Sequence, residues 1–404
     1  VTPMHLLLIH QNFPAQFRDL GPAWLAEGHQ LTAIAYTTPP KDSTAWSGLE
    51  HFRYTWPKDS QPSKDDRGRI VAALCQQLRN NGHSPDVVIA HSGWGEALHL
   101  SGIWEEVPLV VMPELWGSAK SLGFGFDPAL PDDISDPDFF TADNAISAKA
   151  IHLSQAALVA SRSQKSSFPP HLRQKIIVQP EGLPLDNYGT NRQAQLQYGA
   201  NYFSAGEPLV TFVARTLEPL KGIREVLKAW PLVLEQRPDA QLLLVGDCDP
   251  PGYGIETPIG TSFLEDSLAA LPNQTDRSSI RVLGMLDHTS LVTLLQCSAC
   301  HLAPSYPYTL SWSNLEALAC GAPVITNLGS ALSLELSDNE NGLFYSFSDV
   351  RGLAELVLEL LNKPELQQRL GEAGQRLVRQ RFSQKVALKN FDTLFCQLTK
   401  VSKT

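Results

Sequence analysis

The chain has 404 residues, 43% hydrophobic and 18% charged, with a formal net charge of −10 and a pI near 5.6. That length predicts two or three domains with a sizeable core. The acidic balance argues against a nucleic-acid partner and against strong attraction to anionic lipid. No apolar run approaches the ~20 residues that span a bilayer, and no basic-then-apolar leader opens the sequence. The expectation is a cytoplasmic protein without a transmembrane segment, with peripheral membrane contact left open.

Taken in chain order, Leu6–Ile9 reads as a first strand and Pro14–Glu27 as a helix with Phe17, Leu20, Trp24 and Leu25 on one face. Leu31–Ala35 is the next strand. Arg69–Arg79 is helical, and Val87–Ala90 and Pro108–Met112 are strands, followed by the short apolar runs Ala156–Ala160 and Ile176–Val178. The segment 184–207 is polar, lacks a period and reads as an inter-domain connection. A second alternation follows, of strands Leu209–Ala214, Ala240–Val245, Ile280–Leu283, Ala299–Ala303 and Pro323–Thr326 with helices Ile223–Glu235, Ser290–Gln296 and Trp312–Ala319. Helices over Val350–Leu361, Pro364–Arg379 and Val386–Leu398 close the chain. Alternating strands and helices predict parallel, helix-covered sheets. The fold class is α/β, with two doubly wound Rossmann-like domains facing across a cleft. The domains are set at 1–190 and 191–385, and a last helix, 386–404, packs back on the first. The long Gly/Pro/Asp-rich segments 121–144 and 246–262 read as binding loops or lids.

Polar residues at the carboxyl ends of parallel strands gather in the ligand crevice of such sheets. Three clusters stand there in the first half: His10-Gln11-Asn12-Phe13-Pro14, His91-Ser92-Gly93-Trp94-Gly95-Glu96 and Pro113-Glu114-Leu115-Trp116. His91 and Glu114 are candidates for a substrate contact, a general base, or both. In the second half, Arg215 ends a strand and Lys221 opens a helix, which suits a pyrophosphate. Glu316 lies on a mostly buried helix and needs a polar partner, which ribose hydroxyls would supply. The Gly284-Met285 turn can offer backbone groups to a base edge.

Other patterns read blandly. Cys297-Ser298-Ala299-Cys300 has metal or redox spacing, but no second pair or His cluster completes it, so it reads as a helix end entering a buried strand. Asp247-Cys248-Asp249 reads as a turn. No hydrolase elbow, phosphate loop or metal-ligand spacing appears.

Four stretches resemble the family-four retaining glycosyltransferases of GT-B fold. They are His10–Phe17, Ala90–Glu96, Ala214–Pro219 and Tyr306–Gly321, the first two being similar to one bacterial subgroup. The resemblance implies a nucleotide-sugar donor in the second domain, a hydroxyl acceptor in the first, retention of configuration, and neither metal nor cofactor. It places Arg215 and Lys221 on the diphosphate, Glu316 on the ribose, and Tyr308, Thr309, Leu310, Ser311 and Trp312 on phosphate and sugar. Gln11, Asn12, Phe13, Trp94 and Glu96 fall to the acceptor. Two positions depart: Tyr308 stands where the family has the first acid of Glu-x7-Glu, and Glu114 where it often has a histidine. The donor default is UDP-glucose, with GDP-mannose the competitor. An epimerase on the same fold and a non-catalytic relative remain as alternatives.

Overall fold

The structure is a computed structural model describing residues 2–38, 44–57, 60–128, 138–248 and 262–401. The chain divides into two compact units. One comprises Val1–Ser121, Ile134–Leu183 and Arg381–Thr404, the other Leu122–Asp133 and Pro184–Gln380.

The first unit is built on seven strands: β1 (His5–Ile9), β2 (Gln30–Ala35), β3 (Glu50–Arg53), β4 (Val87–His91), β5 (Leu109–Met112), β6 (Ala156–Val159) and β7 (Ile176–Val178). They lie in the order β3-β2-β1-β4-β5-β6-β7, every pair parallel. The central strands are continuous apolar runs because both faces of the sheet are covered. Alternation still assigns the faces: Leu7 and Ile9 enter one core cluster, Leu6 and Leu8 the other. The Lys64–Asn80 helix, opened by a Ser63/Asp66 capping box, adds Val71, Cys75 and Leu78 to the Leu7 face. The Gln384–Val401 helix adds Phe391 and Phe395 to the other, where both rings meet Trp24 at centroid distances of 5.3 and 6.0 Å.

The second unit opens with an antiparallel pair, β8 (Gln195–Tyr198) and β9 (Asn201–Ser204). A six-stranded parallel sheet follows: β10 (Leu209–Thr216), β11 (Gln241–Asp247), β12 (Ile280–Gly284), β13 (Cys300–Leu302), β14 (Val324–Asn327) and β15 (Leu343–Tyr345), ordered β12-β11-β10-β13-β14-β15. The Ile223–Leu234 helix packs Val226, Trp230 and Val233 on this sheet, and the Trp230 indole donates to Ser279 Oγ at 2.8 Å. In each sheet the order reverses beside the first strand, at β1/β4 and at β10/β13. The connections leave in opposite directions there, and the strand ends are open to a ligand.

The structure departs from the sequence reading in several places. The first boundary falls at Leu183/Pro184 rather than after 190, and the return to the first unit begins at Arg381 rather than 386. Leu183 bridges to Ser383, and a side chain at Gly182 would collide with Gln384, so these two crossings are stitched together. Residues 122–128 go with the second unit. The 184–207 connection holds a hairpin whose Leu196 and Phe203 are buried. Pro14–Glu27 is a single 3-10 turn, Ala15–Phe17, and then a seven-residue helix, Leu20–Ala26. Segment 121–144 contains the start of a helix, Thr141–Leu153; its residues 129–137, like 249–261 in the other long segment, lie outside the described residues.

Candidate functional site

In the second unit β10 and β13 are neighbours, with Phe212 beside Leu302, so the segments that leave them run side by side. Arg215 is the penultimate residue of β10 and is exposed. Lys221 ends a 3-10 turn, Pro219–Lys221, and Gly222 follows at φ 77° before the helix begins. A Cβ on Gly222 would lie 2.7 Å from the Pro304 side chain, so glycine serves both the left-handed backbone and the approach of the loop after β13. That loop is pinned: the Tyr306 N–H donates to the Leu220 carbonyl at 2.9 Å, and the Tyr306 hydroxyl donates to Asp127 Oδ2 at 2.9 Å. The cavity so formed is lined by Lys221, Ser305, Thr309, Leu310, Ser311 and Asn314, among others.

Burial lowers the Lys221 ammonium's pKa, with the nearby Glu218 opposing the shift. Lys221 Nζ lies 5.8 Å from the centroid of the Tyr308 ring, within cation–π range. The Trp312–Cys320 helix starts at this cavity. Its N-cap, Ser311, gives no side-chain cap and bonds instead to Ser313 Oγ at 2.8 Å. Helix amides beside an ammonium form a place for an anion.

Glu316 lies on the same helix and is 5% exposed. Its Oε1 accepts the Tyr188 hydroxyl at 3.0 Å and stands 3.2 Å from His288 Nε2, while Tyr188 and His288 are 3.0 Å apart. The carboxylate is thus partnered from one side by groups that no motif announced. Gly284 ends β12 at φ 63°, and Met285 beyond it is 65% exposed.

In the first unit, parallel register sets Ile9 beside Ala90 and His91 beside Met112. His10, His91 and Glu114 are therefore brought to one place. The His10 and His91 ring centroids are 4.8 Å apart, and Trp94 stacks on His91 at 4.2 Å. Each Nδ1 accepts a backbone N–H, from Asn12 at 3.0 Å and from Gly93 at 3.2 Å, so the neutral rings carry their proton on Nε2. His91 Nε2 faces Glu114 Oε1 at 3.6 Å, and the Gln16 amide donates to the same oxygen at 2.6 Å. Burial pushes the Glu114 carboxyl up, but the His91 ring and Gln16 outweigh it and hold its pKa below the ordinary value. Burial, helped by His91, lowers His10 to about 3.

The other acceptor candidates are placed differently. Phe13 is buried, edge-on to Trp46, and Glu96 is wholly buried, accepting the Tyr54 hydroxyl at 2.9 Å. Both support the strand ends from behind rather than presenting a contact. Burial raises the Glu96 acid's pKa, Tyr54 and Arg67 notwithstanding. Gln11 Oε1 accepts from Arg67 at 2.8 Å, whereas Asn12 is exposed. His10, Gln16, Tyr188 and His288 received no role from the sequence. His10 sits in the same strand-end position as His91, a signal that was available; the other three act through long-range contacts that no local pattern carries.

Cys297 and Cys300 are buried, unlinked and at a helix end and strand start, with burial pushing the Cys297 thiol up to about 11. Asp247 closes β11, and its carbonyl accepts the Leu217 N–H; Asp249 lies outside the described residues. Among the described residues Glu27, His29 and Asp392 lie close enough to share a metal. His29 Nδ1 accepts the Met4 N–H, however, which leaves a protonated Nε2 facing Asp392 at 3.9 Å and no lone pair for a metal. No described helix is long and apolar enough to cross a membrane.

Two family models match in succession: "Glycosyl transferase family 4 group" over residues 27–187 and "Glycosyl transferases group 1" over 199–377. A GDP-mannose-dependent monoacylated alpha-(1-6)-phosphatidylinositol monomannoside mannosyltransferase of Corynebacterium glutamicum is 30% identical over 188 residues, 45% of either chain. A D-inositol 3-phosphate glycosyltransferase of Segniliparus rotundus is 28% identical over 207 residues, 50% of this chain and 42% of that one. The match thus spans under half the length of these relatives. Sucrose-phosphate synthase from Thermosynechococcus elongatus superposes with TM-score 0.72 at 18% identity, covering 98% of this chain and 100% of that one. Anabaena HepE in complex with UDP and glucose does so with TM-score 0.66 at 16% identity and the same coverage. Two parallel α/β units, strand-end polar clusters and both family matches converge on one assignment: the chain belongs to the family-four, group 1 glycosyltransferases and has their GT-B fold.

Proposed function

We propose that the chain is a retaining hexosyltransferase that moves a hexose from a nucleoside-diphosphate sugar to an acceptor hydroxyl without a metal, with UDP-glucose as the default donor. The observation that carries this reading is the juxtaposition of Lys221 with the start of the Trp312–Cys320 helix, with Glu316 further along that helix. An ammonium and helix amides suit a diphosphate, and a carboxylate on the same helix suits ribose hydroxyls.

In the reaction the bond from the anomeric carbon to the diphosphate oxygen breaks. The bond from the acceptor oxygen to that carbon forms on the same face, and the hydroxyl proton passes to the departing diphosphate. Lys221, Arg215 and the amides near Leu310–Trp312 stabilise the charge that grows on the leaving group, a kind of interaction that contributes ~3 kcal/mol when preorganised. Glu114, whose side chain is 44% exposed with the buried His91 behind it, is offered to a substrate hydroxyl. The HepE complex holds UDP and glucose, while the Corynebacterium relative is named for GDP-mannose, so the base is the first variable to test.

The experiment is a matrix of UDP- and GDP-hexoses against sugar and inositol acceptors, with and without EDTA, the product's anomeric configuration read by NMR. Transfer from a UDP-hexose with retention and no response to EDTA is expected. An inverted product, EDTA-sensitive transfer or an epimerised donor in the absence of acceptor would each contradict the reading; transfer from GDP-mannose alone would move the base assignment.

A further inference from the structure

Glu114 is held in an unusual way. It is a non-glycine residue at φ 56°, inside a three-residue turn in which the Leu115 N–H donates to the Pro113 carbonyl at 2.7 Å. A left-handed backbone is strained for a residue with a β-carbon, so the surroundings have to enforce it. They act on one oxygen: Oε1 takes the Gln16 amide at 2.6 Å and faces His91 Nε2–H at 3.6 Å. The Glu114 side chain nevertheless remains 44% exposed.

Behind this carboxylate lies a chain of buried polar groups. Gln16 interacts with His10 as well as with Glu114. The Nε2 atoms of His10 and His91 and the Gln16 Oε1 are all buried without a hydrogen bond of good geometry. His10 and His91 are 2% and 1% exposed. A fold does not leave three buried polar atoms short of partners at one spot without cost. A metal does not explain them, since each Nδ1 accepts a backbone N–H and each Nε2 therefore carries a proton. They form one chain: His10 interacts with Gln16, and the Gln16 amide and the His91 ring both meet Oε1 of one carboxylate.

We propose that Gln16 and His10 are positioning residues: with His91 they fix Glu114 through one oxygen so that the other meets a hydroxyl of the sugar substrate. The inference rests on the glycosyl-transfer reading and adds to it two residues without a role so far. Trp94, stacked on His91 at 4.2 Å, holds that ring in place behind the carboxylate. The hydroxyl belongs either to the acceptor or to the donor's hexose, and one experiment separates the two.

Gln16→Leu, His10→Phe and the swap Gln16→Glu with Glu114→Gln are compared with wild type. The readouts are the thermal midpoint, kcat/KM for transfer to acceptor, and the rate of transfer to water. Gln16→Leu is expected to lower kcat/KM for transfer by ten- to a hundredfold, and His10→Phe by less. The swap rebuilds the hydrogen bond with the carboxylate on the wrong residue. It should recover the midpoint lost by Gln16→Leu and leave transfer depressed. An unchanged rate of transfer to water assigns the hydroxyl to the acceptor; a parallel fall assigns it to the donor. Unchanged transfer in Gln16→Leu, or a swap that restores transfer together with stability, would overturn the proposal while leaving the enzyme assignment intact. A wild-type chain that transfers nothing from any donor would remove the enzyme assignment, and this inference with it.

Discussion

The two sheets gather polar side chains at the same topological place and arrange them differently. At the β10/β13 reversal the polar groups line a cavity, where the Lys221 ammonium lies over an aromatic ring and a helix begins without a side-chain cap. At the β1/β4 reversal they turn on one another, with the buried His91 imidazole and the Gln16 amide meeting the carboxylate of Glu114 and the His10 ring packed on His91. The first arrangement suits a charged group brought by a ligand. The second supplies the charge itself. A strand-end cluster therefore has to be read from its hydrogen bonds before it is given a partner.

The sharpest way to break the contrast is Lys221→Ala. It removes the cavity's ammonium and should lower kcat by ~10²–10³ with the fold intact, as loss of about 3 kcal/mol of transition-state stabilisation requires. Steady-state turnover beside an unchanged circular dichroism spectrum checks this, and wild-type turnover would take Lys221 out of the site.

Acid titration probes the other region. Burial lowers His10 there to about 3 from an ordinary 6.5, and the buried His301 on β13 of the second unit, lowered to about 4, adds the same dependence as a background. Below pH 6.5 the unfolded chain binds protons that the folded rings refuse. This stability is therefore full above pH 6.5 and falls as the pH drops, by up to about 1.4 kcal/mol per ring per pH unit. Denaturant midpoints between pH 7.5 and 5.5 should decline, and His10→Gln should flatten the slope. A slope untouched by His10→Gln would mean that this ring titrates normally.

A smaller effect sharpens the nucleotide side. Glu316→Ala should weaken UDP or GDP binding about tenfold, one charge-assisted hydrogen bond's worth, with no change in acceptor KM. Calorimetry reads it directly. Tyr308→Glu restores the acid of the family pattern near Lys221. It should alter preference among hexoses by a few fold while leaving nucleotide affinity in place, as a panel of donors sharing one base will show.

Much of this was legible before any coordinates. The apolar runs Leu6–Ile9, Val87–Ala90 and Leu209–Ala214 read as buried strands because parallel sheets covered on both faces leave no polar alternation. Glu316 stood out as a carboxylate inside an apolar helix. The β8–β9 hairpin was invisible because four-residue strands with a single buried position each, Leu196 and Phe203, carry no period. Tyr188 and His288 escaped because they reach Glu316 across 128 and 28 residues. Phe13 and Glu96 were taken for contacts because a strand-end position fixes where a residue stands and leaves open whether its side chain turns outward or into the core.

The central claim is that the second unit holds a nucleoside diphosphate between Lys221, the start of the Trp312–Cys320 helix and Glu316. Titration of the whole chain with UDP and with GDP, by calorimetry, on wild type and Glu316→Ala, tests it most directly. Saturable binding of one nucleotide that weakens about tenfold in the variant is expected. Heats that show no binding of either nucleotide, or equal affinity in both proteins, would contradict it.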